Sequence, residues 1–117
     1  MAVEDLRIRR YERADIPGII EFAKTDDTET ISEKRLTFVL NNNITNQLMY
    51  AGIVTELGDI VGVLLATLVY PIINEELHAS PQLFVVSPDH GEAEAMLKDD
   101  YRDWCVRRNA IYEEPTP

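Results

Sequence analysis

Cysteine is almost missing from this chain. Cys105 is the one thiol in 117 residues, so no internal disulfide can form, and the chain reads as cytosolic. Histidine is nearly as scarce. His78 and His90, spaced widely from each other and from Cys105, do not make a metal site. No apolar stretch is long enough to span a bilayer, the longest being Ile60 to Tyr70. The segment Met1 to Arg10 is charged and has no apolar core of the kind a secretory signal needs. Basic residues are outnumbered, 11 Lys and Arg against 21 Asp and Glu, for a formal net charge of −10. So acidic a surface repels nucleic acid and anionic lipid, which argues against either as a partner. It suits a basic protein partner or the mimicry of a polyanion, and it also serves plain solubility. No Walker loop, catalytic-triad spacing, zinc ribbon, internal repeat, domain linker or low-complexity segment is present.

What is present is the composition of one globular domain with one core, 45% apolar and 27% charged. Leu6-Arg7-Ile8-Arg9 alternates as a short strand does, and Tyr11 to Asp15 follows as a turn. Asp15 is placed to cap a helix with Pro17 in its first turn, and Ile16, Ile19, Ile20 and Ala23 form its apolar stripe. Thr30 or Ser32 caps a second helix with Leu36, Val39 and Leu40 on one side, ended by Asn41-Asn42-Asn43. Leu48–Glu56 and Ile60–Tyr70, separated by Leu57-Gly58-Asp59, read as a β-hairpin. The second arm is apolar throughout, as expected of a central strand covered on both faces. Gly62 within it marks a bulge or a close backbone approach. Pro71 ends that strand, Ile72 to Ser80 is a connection, and Gln82–Val86 is a further strand. Ser87 to Gly91 turns into a helix from about Glu92 to Asn109, whose stripe is Ala93, Leu97, Tyr101, Trp104 and Arg108. Ala110-Ile111-Tyr112 begins another strand, and residues 113–117 form a disordered tail. The expected class is α/β (α+β-like): a mixed sheet in the order β-α-α-β-β-β-α-(β), an antiparallel meander with helices on the sheet.

Three stretches in that order resemble the GNAT superfamily of N-acetyltransferases. Ile8 to Pro17 is similar to the family's opening motif, Gly58 to Leu64 to the hairpin between its second and third strands, and Leu83 to Gly91 to the passage from its fourth strand into the coenzyme loop. The likeness covers about residues 6–110 of a short or truncated version, and it is shared with small GNAT-like proteins encoded by phages, which would place this one in a host cytoplasm. The resemblance implies acetyl-CoA as a possible cofactor and no metal. It puts the backbone of Phe84, Val85 and Val86 along the pantetheine arm, and His90, Gly91, Glu92, Ala93 and Ala95 around the pyrophosphate. The physical basis is free N–H groups and the positive end of a helix dipole, with small residues letting the backbone come close.

Two departures stand against this. The loop is one residue short and lacks the usual basic residue before its glycine, while Asp89, Glu92 and Glu94 would surround the phosphates. At roughly 6 Å and an effective dielectric of about 20, each such like-charge pair costs about 3 kcal/mol before screening, against about 1 kcal/mol from the helix terminus. The family's further strands, its fourth helix and the tyrosine there that protonates the leaving thiolate have no counterpart before Tyr112. A general base for acetyl transfer is offered by Glu75, Glu76 and His78, just before the fourth strand, and by Glu56 at the hairpin end. Solvated loop charge is the plainer reading of all four. Cys105, beside Trp104 in mid-helix, reads as a buried inert thiol. The sequence thus carries two functions: a degenerate GNAT-like module that binds or inhibits a host protein through its acidic surface, and, as the alternative, an acetyl-CoA-dependent N-acetyltransferase completed by dimerisation.

Overall fold

The computed structural model describes residues 5–25, 32–69 and 76–115. Its elements are β1 (Leu6–Arg10), a 3-10 turn (Arg13–Asp15), α1 (Ile16–Ala23), α2 (Glu33–Asn42), β2 (Met49–Glu56), β3 (Asp59–Val69), β4 (His78–Val86) and α3 (Gly91–Arg107). The strands form one antiparallel sheet in the order β1-β2-β3-β4. β3 is central, as its unbroken apolar run requires. No described helix is long and apolar enough to cross a membrane.

Strand alternation divides the core in two. Tyr50, Val54, Leu64 and Phe84 face α3 and pack on Ala93, Leu97, Tyr101 and Trp104. Met49, Ile53, Val63 and Val85 point the other way, onto Ile16, Ile19, Leu36 and Leu40 of α1 and α2. Tyr101 and Trp104 are therefore core residues, and burial raises the Cys105 thiol above its ordinary value, leaving it protonated and inert.

Local chemistry explains the element ends. Ser32 caps α2, its hydroxyl accepting from the Arg35 amide at 3.2 Å. At the other end the asparagine run turns back on the helix: Asn41, Asn42 and Asn43 donate to the carbonyls of Thr37, Phe38 and Val39 at 2.7–2.9 Å. Asp15 does not cap α1 with its side chain. The 3-10 turn runs straight into the helix, so Asp15 already has helical backbone, and its carboxylate reaches back to the Glu12 amide at 2.7 Å and to Arg9. The β2–β3 connection is the two-residue turn Leu57-Gly58 with φ of 52° and 93°, so Asp59 belongs to β3, opposite Glu56.

β4 is longer than expected. It begins at His78, inside the stretch to Ser80 expected to be a connection, and runs on through Pro81. Proline lacks an N–H, but on an edge strand that donor has no required partner. The register steps from Ala66↔Pro81 to Leu65↔Leu83, leaving Gln82 as an extra, bulged residue. Residues 110–112 do begin to pair with β4, but only Ile111 makes a bridge, parallel, to His78. Residues 113–115, expected to be disordered, pack instead: Pro115 is fully buried, Tyr112 lies against Tyr101 with ring centroids 5.3 Å apart, and Glu114 meets Lys98 at 3.0 Å.

Candidate functional site: the outer edge of β4 and the start of α3

β3 occupies one edge of β4, and the outer edge is nearly bare. At its beginning the Ala79 amide donates to Ile111 and the Ile111 amide to Leu77, at 3.0 and 2.7 Å. From Ser80 onward no described residue adds a strand there. The Ser87 amide donates to the Val61 carbonyl at 2.9 Å. Hydrogen-bonded positions alternate along an antiparallel ladder, so Val85 also turns its backbone groups to β3, while Phe84 and Val86 turn theirs outward. The amide of Val85 is thus committed to the sheet, and those of Phe84 and Val86 are available to a ligand.

The chain then turns through Ser87–His90, closed by the His90 amide on the Ser87 carbonyl at 3.0 Å, and enters α3 at Gly91. His90 occupies the cap position without capping through its side chain. Its Nε2 lies 3.0 Å from Glu56 Oε1, and its Nδ1 is buried with no partner among the described residues. Two residues that the sequence offered separately, Glu56 and His90, are thereby joined. They tie the far end of the β2–β3 hairpin to the start of α3.

The three small residues divide. Ala93 is buried and faces β3: a Cβ added at Gly62 would sit 3.5 Å from the Ala93 methyl, so this alanine is small because helix and strand approach closely. Gly91 and Ala95 are exposed. A Cβ on Gly91 would meet nothing within 4 Å, and its φ lies outside the left-handed region. Neither packing nor backbone conformation requires this glycine, which leaves close approach of a ligand as a reason for it.

The acids are not equivalent either. Glu94 is engaged by Lys98 at 3.1 Å, and Lys98 also holds Glu114. Glu92 and Asp89 project into solvent, where screening weakens their repulsion of an anion. The other proposed bases lie elsewhere. His78 is at the opposite end of β4, eight strand steps or roughly 26 Å from Val86 at about 3.3 Å per residue. Glu76 is exposed just ahead of it, and Glu75 lies outside the described residues. The Gln82 bulge and the outward turn of Phe84 and Val86 were missed from sequence. Pro81 within an apolar segment was the one available sign of an edge strand with an irregularity.

A solved GNAT family acetyltransferase from Staphylococcus aureus subsp. aureus USA300_TCH1516 superposes with a TM-score of 0.70 at 12% identity, over 96% of this chain and 88% of that one. A predicted acetyltransferase from Clostridium acetobutylicum, determined with acetyl-CoA, matches with a TM-score of 0.71 at 18% identity, covering 95% and 82%. A transcriptional regulator from Bacillus halodurans C-125 matches with a TM-score of 0.77 at 12% identity, covering 96% and 81%. The chain has the fold of the GNAT acetyltransferases. Identities this low establish the fold alone. No protein-family model and no curated relative matches the sequence.

Proposed function

We propose that this chain binds acetyl-CoA along the outer edge of β4 and acts as an N-acetyltransferase. The observation that carries the reading is the run of free backbone groups: Phe84 and Val86 facing outward, followed directly by the start of α3 at an open Gly91. In that arrangement the outward amides of β4 hold the amide-bearing pantetheine arm. The first amides of α3 and the helix dipole meet the pyrophosphate. The acyl carbonyl then lies toward the Gln82 bulge, where an attacking amine reaches it from the open edge. The nitrogen forms the new bond, the carbon–sulfur bond breaks, and the thiolate leaves as coenzyme A, taking a proton from solvent or from the amine.

The reading of the chain as a degenerate protein-binding module rested on the short loop without its basic residue, on the missing later strands and tyrosine, and on repulsion by acids around the phosphates. That repulsion is smaller than the sequence implied, because Glu94 is paired with Lys98. His90, hydrogen-bonded to Glu56 at the cap position of α3, stands next to the phosphate position.

Calorimetric titration with acetyl-CoA tests the proposal. Wild-type protein is expected to bind in the micromolar range. Gly91→Glu, which has room to fold, is expected to weaken binding at least tenfold, about 1.4 kcal/mol. Absence of binding, or equal binding by the variant, would remove the coenzyme from this edge.

A further inference from the structure

At the opposite end of α3 lies a second concavity, of about 570 Å³, bounded by β1, the loop before β2 and the last turns of the helix. Its floor is made by Ala51 and Gly52 of β2. The glycine is required there. A Cβ on Gly52 would fall 2.8 Å from Cζ of Tyr50, whose ring folds over the following residues of its own strand. The Tyr50 hydroxyl donates to Asp100 Oδ2 at 2.7 Å. Burial, reinforced by that carboxylate, pushes the phenol far up, so it stays protonated and keeps the Asp100 charge turned toward it.

Three arginines bring positive charge to the rest of the wall. Arg10 donates to four backbone carbonyls, those of Asn43, Ile44, Asn46 and Met49, at 2.9–3.1 Å. These bonds fix its guanidinium without neutralising it. Arg108 lies 4.7 Å from the centroid of the Trp104 ring, and its Nε donates to the Gln47 carbonyl at 3.1 Å. Its two terminal nitrogens have no acceptor among the described residues. Arg107 lines the same space, and its guanidinium too has no hydrogen-bond or ion-pair partner among the described residues. This happens in a chain with 21 acidic side chains, where carboxylates to pair with are plentiful. Three guanidiniums face one carboxylate, leaving two positive charges in a cleft of the size that small ligands occupy.

We propose that this cleft binds the phosphate group of a small phosphomonoester. A surplus of two positive charges matches the −1.5 to −2 charge of such a group near neutral pH better than the single charge of a carboxylate. The guanidiniums of Arg107 and Arg108 keep N–H groups free to meet phosphate oxygens in short, charge-assisted bonds, while Arg10, whose N–H groups are mostly bonded to carbonyls, contributes its charge. Arg10 and Arg108 are held in place before any ligand arrives, so little side-chain freedom remains to be lost. The protein's negative field is weak here, because charges more than about 8 Å away are screened at physiological salt. The site is separate from the edge of β4 and does not depend on coenzyme binding.

Trp104 is the chain's one tryptophan and lies in the wall, so its fluorescence reports on this cleft. Titration with inorganic phosphate and with phenyl phosphate at physiological ionic strength is expected to give a saturable change in emission that acetate does not reproduce. Arg107→Gln, at an exposed position, is expected to weaken both phosphate responses about tenfold, the loss of one charge-assisted hydrogen bond. Asp100→Asn, which keeps an acceptor for Tyr50, is expected to strengthen them severalfold. Gly91→Glu, at the far end of α3, is expected to leave them unchanged. No saturable response, equal affinity in Arg107→Gln, or an equal response to acetate would overturn the proposal.

Discussion

Arg9 and Asp15 stand on either side of the turn that leads from β1 into α1. Their two contacts, at 2.7 and 2.9 Å, form a bidentate pair with Asp15 largely covered and Arg9 more open. The hydrogen bonds from Arg9 hold the Asp15 carboxyl below its ordinary value, helped by the Glu12 amide. A carboxyl lowered by folding stabilises the protein above its unfolded pKa and loses that contribution as the pH falls through its folded value. Asp15→Asn is therefore expected to cost about 1 kcal/mol at neutral pH, at the upper end for an ion pair this open to solvent. The deficit relative to wild type should shrink as the pH falls below the ordinary aspartate range and through the lowered Asp15 value, because wild type then loses the charge that the variant never had. Urea unfolding at neutral pH and at successively lower pH checks this, and a deficit independent of pH would assign the cost to something other than the ion pair. The sequence placed Asp15 at a helix start correctly. It could not show which way the carboxylate turns, because Arg9 competes for it only once β1 lies beside the turn.

At the scale of elements, the close approach of α3 to β3 depends on Gly62. A Cβ there would stand 3.0 Å from Leu97 Cδ1 and 3.5 Å from the Ala93 methyl. Gly62 also follows the bulged Val61, where the β2–β3 register steps from Val54↔Gly62 to Thr55↔Ile60. Both readings open to a glycine inside a strand, a bulge and a close approach, thus apply at this one place. Alanine is tolerable at position 62 if the Leu97 methyl shifts. Valine is not, and Gly62→Val is expected to destabilise by about 2 kcal/mol through overpacking. Thermal melts of the two variants check this: similar melting temperatures for valine and glycine would mean that α3 is not seated as tightly as the geometry implies. The helices and the hairpin were legible because their periodicities are local. β4 was legible only in its second half, because Pro81 interrupts the pattern and its tolerance depends on the strand lying at an edge.

For the whole molecule, the exposed side of β4 is the feature with the largest consequence. An unpaired edge invites another strand. We expect a second copy of the chain to lie against the beginning of that edge, near residues 110–112, leaving Phe84 and Val86 to the coenzyme and completing the acceptor side of the cleft. Light scattering at tens of micromolar should then give twice the 13.4 kDa of one chain. A mass of one chain under those conditions would mean that the edge is left to ligand alone.

Apolar alternation and helical spacing in the sequence by themselves determined the order of the elements, the central position of β3 and the burial of Tyr101, Trp104 and Cys105, since each follows from neighbours a few residues apart. They also located the start of α3, through the turn at Ser87–Gly91 and the stripe beyond it. Only the tertiary structure decided that Val85 is committed to β3 while Phe84 and Val86 face outward, because that depends on register with another strand. It alone assigned Ala93 to packing, joined Glu56 to His90, and paired Glu94 with Lys98. It alone gathered Arg10, Tyr50, Asp100, Arg107 and Arg108 around one cleft. Those residues come from β1, β2 and the end of α3, and no local pattern records that Arg10, near the start of the chain, shares one volume with the adjacent Arg107 and Arg108 once the helix crosses the sheet.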